Sequence, residues 1–126
     1  MARQSHTANV LTALGTKGSS YTAGAADLTM TAADAANYEE VAFTGAEVII
    51  AHNTDSGAQT VTISSIADDD HGRTGDITTY SLGAGEYGVF GPFDLDGWRQ
   101  TGGLLYFAAS DATVKFGVVK VTRLGK

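Results

Sequence analysis

Apolar and polar residues alternate in short runs along most of the chain, the two-residue period of strands that bury one face. The clearest case is residues 60–64, where Val61 and Ile63 alternate with Thr60, Thr62 and Ser64. Leu28 and Met30 alternate with Thr29 and Thr31, and Val41 pairs in parity with Phe43. Residues 47–52 (EVIIAH) are a nearly continuous apolar run, read as a strand. Further strands are predicted at 77–82 (ITTYSL), 86–93 (EYGVFGPF), 104–109 (LLYFAA) and 114–124 (VKFGVVKVTRL). Within 86–93, Tyr87, Val89 and Phe93 share one parity, and Pro92, lacking an amide hydrogen, belongs at a strand end or edge. Residues 31–37 (TAADAAN) fit a helical turn capped by Thr31 or a loop.

Turn-forming clusters separate these runs: Gly45, residues 53–57 (NTDSG), Gly83 with Gly85, 94–98 (DLDGW) and 101–103 (TGG). Eight or nine short strands with turns about every 8–12 residues predict an all-β fold, an antiparallel β-sandwich of jelly-roll type. No fixed-period repeat suggests a solenoid or propeller.

Residues 1–26 have little periodicity. Val10, Leu11 and Leu14 form one small apolar cluster, fit for a turn of helix or a short strand, and Gly15, Gly18, Ser19 and Ser20 then break any regular element. The expected organisation is an extended N-terminal arm (1–26) before a β-sandwich domain (27–126). Ordering a residue costs roughly 1–2 kcal/mol of backbone entropy, more than so few large side chains offset alone. The arm is therefore expected to be a contact element. Val10, Leu11 and Leu14 would dock on a neighbouring subunit or other partner surface, and Arg3 and Lys17 would meet acidic surface.

Composition favours strands over a helical bundle. Ala, Gly and Thr supply 51 of the 126 residues, while Leu is scarce. The absence of cysteine excludes disulfides and thiolate chemistry. A net charge of −6 disfavours nucleic acid as a partner. No run approaches the roughly 18 apolar residues of a membrane helix, so no membrane partner is expected. The first residues carry one arginine and no apolar core of a secretory signal, so the expected setting is a cytosol, or exit by another route.

Candidate chemistry is sparse. Gly83-Ala-Gly85-Glu-Tyr-Gly88 fits the G-x-G-x-x-G pattern but joins strand to strand, where no helix N-terminus faces a pyrophosphate. It reads as a hairpin turn. Asp68 to Asp76 (DDDHGRTGD) carries Asp68, Asp69, Asp70 and Asp76, yet its order matches no EF-hand cage and it reads as a polar loop without a structural metal. A hydrolase using this loop is the weakest alternative. His71 lies beside acids, His52 follows an apolar strand where it would cap a turn, and no serine sits in a G-x-S-x-G elbow. Asp94 and Asp96 make an acid pair of a kind any acidic chain offers. No catalytic residue, cofactor or metal is predicted. Trp98 reads as a core or interface anchor. The last strand is apolar on both parities, which predicts cover from a second subunit, with Phe90, Trp98, Phe116, Val118, Val119 and Val121 as interface candidates. A closed ring of copies, a homotrimer, would supply that cover with one repeated interface.

Two stretches, VAFTGAEVIIAHNTDSGAQTVTISSIADDDHGRTGDITTYSLGAGEYGVFGPF and GWRQTGGLLYFAASDATVKFGVVKV, resemble the small capsid decoration, or cement, proteins of tailed double-stranded DNA bacteriophages. The resemblance spans roughly residues 38–124 and rests on the order of short motifs: a strand ending AHN, then TVTISS, DDHGRTGD, GPF and GWRQ. It implies a β-sandwich or jelly-roll body and homo-oligomers, often trimers, on capsid symmetry axes. The implied partner is the major capsid protein, and the implied location is the capsid exterior of a virion assembled in the host cytoplasm. The family has no catalytic residues to carry over. The residues also admit a carbohydrate- or receptor-binding module of a phage tail or head fibre, with Trp98, Tyr80, Tyr87 and Tyr106 as stacking platforms.

Overall fold

The computed structural model describes residues 2–11, 27–66 and 74–121, with the backbone alone for Val10 and Leu11. The fold is all-β. Its strands are β1 (Gln4–His6), β2 (Asn9–Leu11), β3 (Thr31–Ala32), β4 (Glu39–Ala42), β5 (Glu47–Asn53), β6 (Gln59–Ser64), β7 (Ile77–Leu82), β8 (Tyr87–Phe90), β9 (Leu104–Ala109) and β10 (Val114–Val121). Leu95–Trp98 is one irregular turn, since Asp96 is extended and Gly97 has φ 95°.

The first sheet has the order β1-β4-β9-β6-β7, and the second β2-β10-β5-β8 with β3 also on β10. All pairings are antiparallel except β1 with β4 and β2 with β10. The stretch expected as an arm thus supplies a strand to each sheet at residues 4–11, pairing Gln4 with Glu39 and Val119 with Asn9. Leu14 and Lys17 lie outside the described residues.

Both sheets bury alternate residues in one shared core. Val61 and Ile63 point inward as their alternation predicts. The run 47–52, apolar from Val48 to Ala51, nevertheless alternates in burial, with Ile49 and Ala51 inside and Val48 and Ile50 half-buried. Phe107 of β9 meets Phe116 of β10 edge to face at 4.9 Å, tying one sheet to the other. Two buried polar side chains organise the ends of β5. The Glu47 carboxylate accepts from the Thr44 N–H (2.8 Å) and hydroxyl (2.9 Å) and holds a turn in which Gly45 has φ 93°. Asn53 donates to the carbonyls of Gly57, Leu82 and Gly83, so the turn-capping role expected of His52 falls to its neighbour.

Part of the cover expected for the last strand comes from within the chain. Phe116 and Val118 point into the core. On the opposite face of β10, Gly117 lies under Leu28 and Met30, so close that an added Cβ would sit 2.6 Å from the Met30 sulfur. Residues 27–30, expected as a strand, are an irregular segment laid across β10, and the strand proper begins at Thr31. In 86–93 the parity also breaks. Phe90 and Phe93 are buried while Tyr87 and Val89 face outward, because Gly91, at φ 109°, ends the strand between them.

Two substitutions check this packing. Phe107→Ala is expected to lower unfolding free energy by about 3–5 kcal/mol, the usual range for emptying a large aromatic site. Gly117→Val is expected to cost about 1–3 kcal/mol by forcing Leu28 and Met30 off β10. Urea denaturation with unchanged m-values measures both.

Candidate functional site

The N-terminal segment is clipped to the body by a buried carboxylate. Glu39, fully buried, accepts from Gln4 Nε2 (2.7 Å), the Asp34 N–H (2.8 Å) and His6 Nε2 (2.9 Å). The His6 ring packs against Phe107 at 5.2 Å and Phe116 at 6.2 Å. A buried charge is tolerable only when paired and hydrogen-bonded, and three donors meet that need. The pair has the form of a base and its orienter, but among the described residues no hydroxyl bonds to the imidazole. The geometry makes it a latch for β1.

Arg3, expected to meet acidic surface on a partner, has its contacts within the chain. Its guanidinium donates to the Glu39 carbonyl (3.1 Å) and lies over the Tyr106 ring at 3.9 Å, with Tyr38 at 5.5 Å. Tyr106 therefore has one ring face covered.

The second sheet turns an apolar face outward. Cross-strand rows there run Val119–Val48, then Gly117–Ile50–Val89, then Lys115–His52–Tyr87. Val89 is 66% exposed, Tyr87 65% and Val121, at the end of β10, 48%. Tyr87 stacks on His52 at 3.8 Å with an interplanar angle of 4°. Val89, Tyr87 and Val121 are thus large apolar side chains open on this face, while Leu28 and Met30 cover Gly117 beside Ile50; exposed apolar side chains gathered on one face suit an interaction surface.

The structure redistributes the interface candidates. Phe90, Phe116 and Val118 belong to this chain's own core and cannot also face a second copy in this fold. Trp98 is half-buried and packs on Phe93 at 4.7 Å. Val119 and Val121 remain on the outward face. Tyr87 and Val89 are its most exposed members; the alternation at 87 and 89 puts them on one parity, and neither is among the interface candidates, although Tyr87 is a stacking-platform candidate. Of the other platforms, Tyr80 is exposed and meets Phe90 edge-on at 5.4 Å.

Asp68, Asp69, Asp70 and His71 lie outside the described residues. Asp76 is described and acts as a turn acceptor, taking the Ser65 N–H (2.7 Å) and hydroxyl (2.6 Å). Among the described residues no group of three or more histidine or acidic side chains is placed to hold a metal ion. No helix of the described residues is long and apolar enough to cross a membrane. No family model, curated protein or solved structure matches this chain.

Three aspartates link the loops to pH. The carboxyl of Asp34 is held below its ordinary range chiefly by the Asn37 amide, and that of Asp55 chiefly by the Gln59 amide. Asp76 is lowered chiefly by the Ser65 hydroxyl. A carboxyl lowered in the folded state contributes stability that is complete above its ordinary value of about 3.9 and is lost as pH falls through the folded value. The melting temperature is expected to fall on acidification below about pH 4. The fall should be shallower in Asp55→Asn, as scanning calorimetry from pH 7 to 2.5 would record.

Proposed function

We propose that this protein is a non-enzymatic structural protein of a virion, a capsid decoration protein that stabilises a phage head by binding between capsomers. The observation that carries the reading is the outward face of the second sheet, where Val89, Tyr87 and Val121 stand open on a small acidic protein. The motif order across residues 38–124 adds to it. In this reading the two sheets around one core form an antiparallel sandwich of jelly-roll type, and the chain assembles as a homotrimer through that face. The partner is the major capsid protein and the site is the capsid exterior. Many copies on one shell turn modest individual contacts into a stable brace.

Two measurements test this. Light scattering is expected to give a mass about three times the 13.0 kDa of the chain, and Val89→Glu to reduce it to one. Heads of the encoding virus prepared without the protein should bind it saturably in a fixed copy number. A concentration-independent monomer that ignores such heads ends the proposal.

A further inference from the structure

The outer face of the first sheet carries a groove of about 270 Å³ beside Arg3, lined by Tyr38, by the hydroxyl side chains of Thr60, Thr62, Ser64 and Ser110, and by two alanines of β9. No carboxylate is among its lining residues, although the chain has a net charge of −6. Glu40, opposite Tyr106 in the β4–β9 register, accepts from the Ser5 hydroxyl at 3.2 Å. Among the described residues no carboxylate lies within ion-pair distance of Arg3. A guanidinium has five N–H donors in a rigid fork suited to a carboxylate. Here one hydrogen bond goes to the Glu39 carbonyl while the group rests on Tyr106, which pre-orients the fork. Beside it, Thr62 accepts from the Thr79 N–H at 3.0 Å, which leaves its hydroxyl proton to donate. Tyr38, at φ 70° and 46% exposed, puts an aromatic ring at the rim.

We propose that this groove binds a carboxylate-bearing saccharide, with the carboxylate on Arg3 and the sugar hydroxyls on Thr60, Thr62 and Ser64. Its volume lies just below the roughly 300–1,000 Å³ of sites for drug-sized ligands, which restricts it to a single sugar ring. An extended peptide is disfavoured by position: the groove lies over β9 and β6, interior strands whose backbone groups are spent on the ladder, so strand addition has no edge there. Hydroxyl side chains that both donate and accept match a polyol, and the lone cation supplies the selectivity for an acid. The inference does not depend on the capsid reading.

The test is calorimetric titration of the full chain with glucuronic acid, galacturonic acid and N-acetylneuraminic acid, against glucose and acetate as probes. At least one acidic sugar is expected to bind saturably, tenfold or more tighter than both glucose and acetate. Arg3→Gln and Thr60→Val, each confirmed folded by circular dichroism, are expected to weaken that binding tenfold or more. The proposal is overturned if none of the three acidic sugars binds saturably, if acetate or glucose binds as well as they do, or if the folded Arg3→Gln and Thr60→Val proteins both bind like the parent chain.

Discussion

The edge-to-face contact of Phe107 with Phe116 is the point on which the two sheets depend. Each ring belongs to an interior strand of its own sheet, so the contact joins the centres of both layers rather than their margins. Aromatic pairs in this geometry contribute beyond the area they bury. The His6 ring packs against both phenylalanines and carries the same junction outward to the Glu39 carboxylate. Core and N-terminal segment therefore share one set of contacts, and β1 is held where an apolar side chain would have left Glu39 short of donors.

That arrangement clarifies the economy of a small chain. With few leucines, the interior relies on phenylalanine, valine and isoleucine, supplemented by polar side chains that are buried because their partners are fixed. Glu39, Glu47 and Asn53 each satisfy backbone groups at a strand end or turn, work that helix caps and longer loops do in larger proteins. The same economy explains the outer surfaces. The face of the first sheet is hydroxyl-rich and carries one stacked arginine, whereas the face of the second is aliphatic and aromatic.

Much of the architecture was legible from pattern. Alternation at 60–64 and the glycine-rich turns place strands and inward residues without reference to anything distant. Local alternation misleads where a residue's neighbours come from far along the chain. Residues 47–52 are apolar on both parities, and only the pairing with β8 and β10 decides that Ile49 goes inside while Ile50 goes out. The last strand posed the same ambiguity. Cover from a second subunit and cover from Leu28 and Met30 are equivalent to a sequence pattern, because burial records that a face is dry and not whose atoms dry it.

The amino-acid sequence by itself determined that this is an all-β chain without thiol chemistry, acidic, and divided into short strands by glycine and asparagine turns. Those properties follow from local sterics and from composition. The tertiary structure alone decided that residues 4–11 join both sheets, that Arg3 rests on Tyr106, and that Tyr87 and Val89 face outward while Phe90 faces in. Each of these depends on contacts between residues tens of positions apart or on a strand broken at Gly91. A period-two pattern fixes which residues share a face; which face meets water is set by the layer that packs against it.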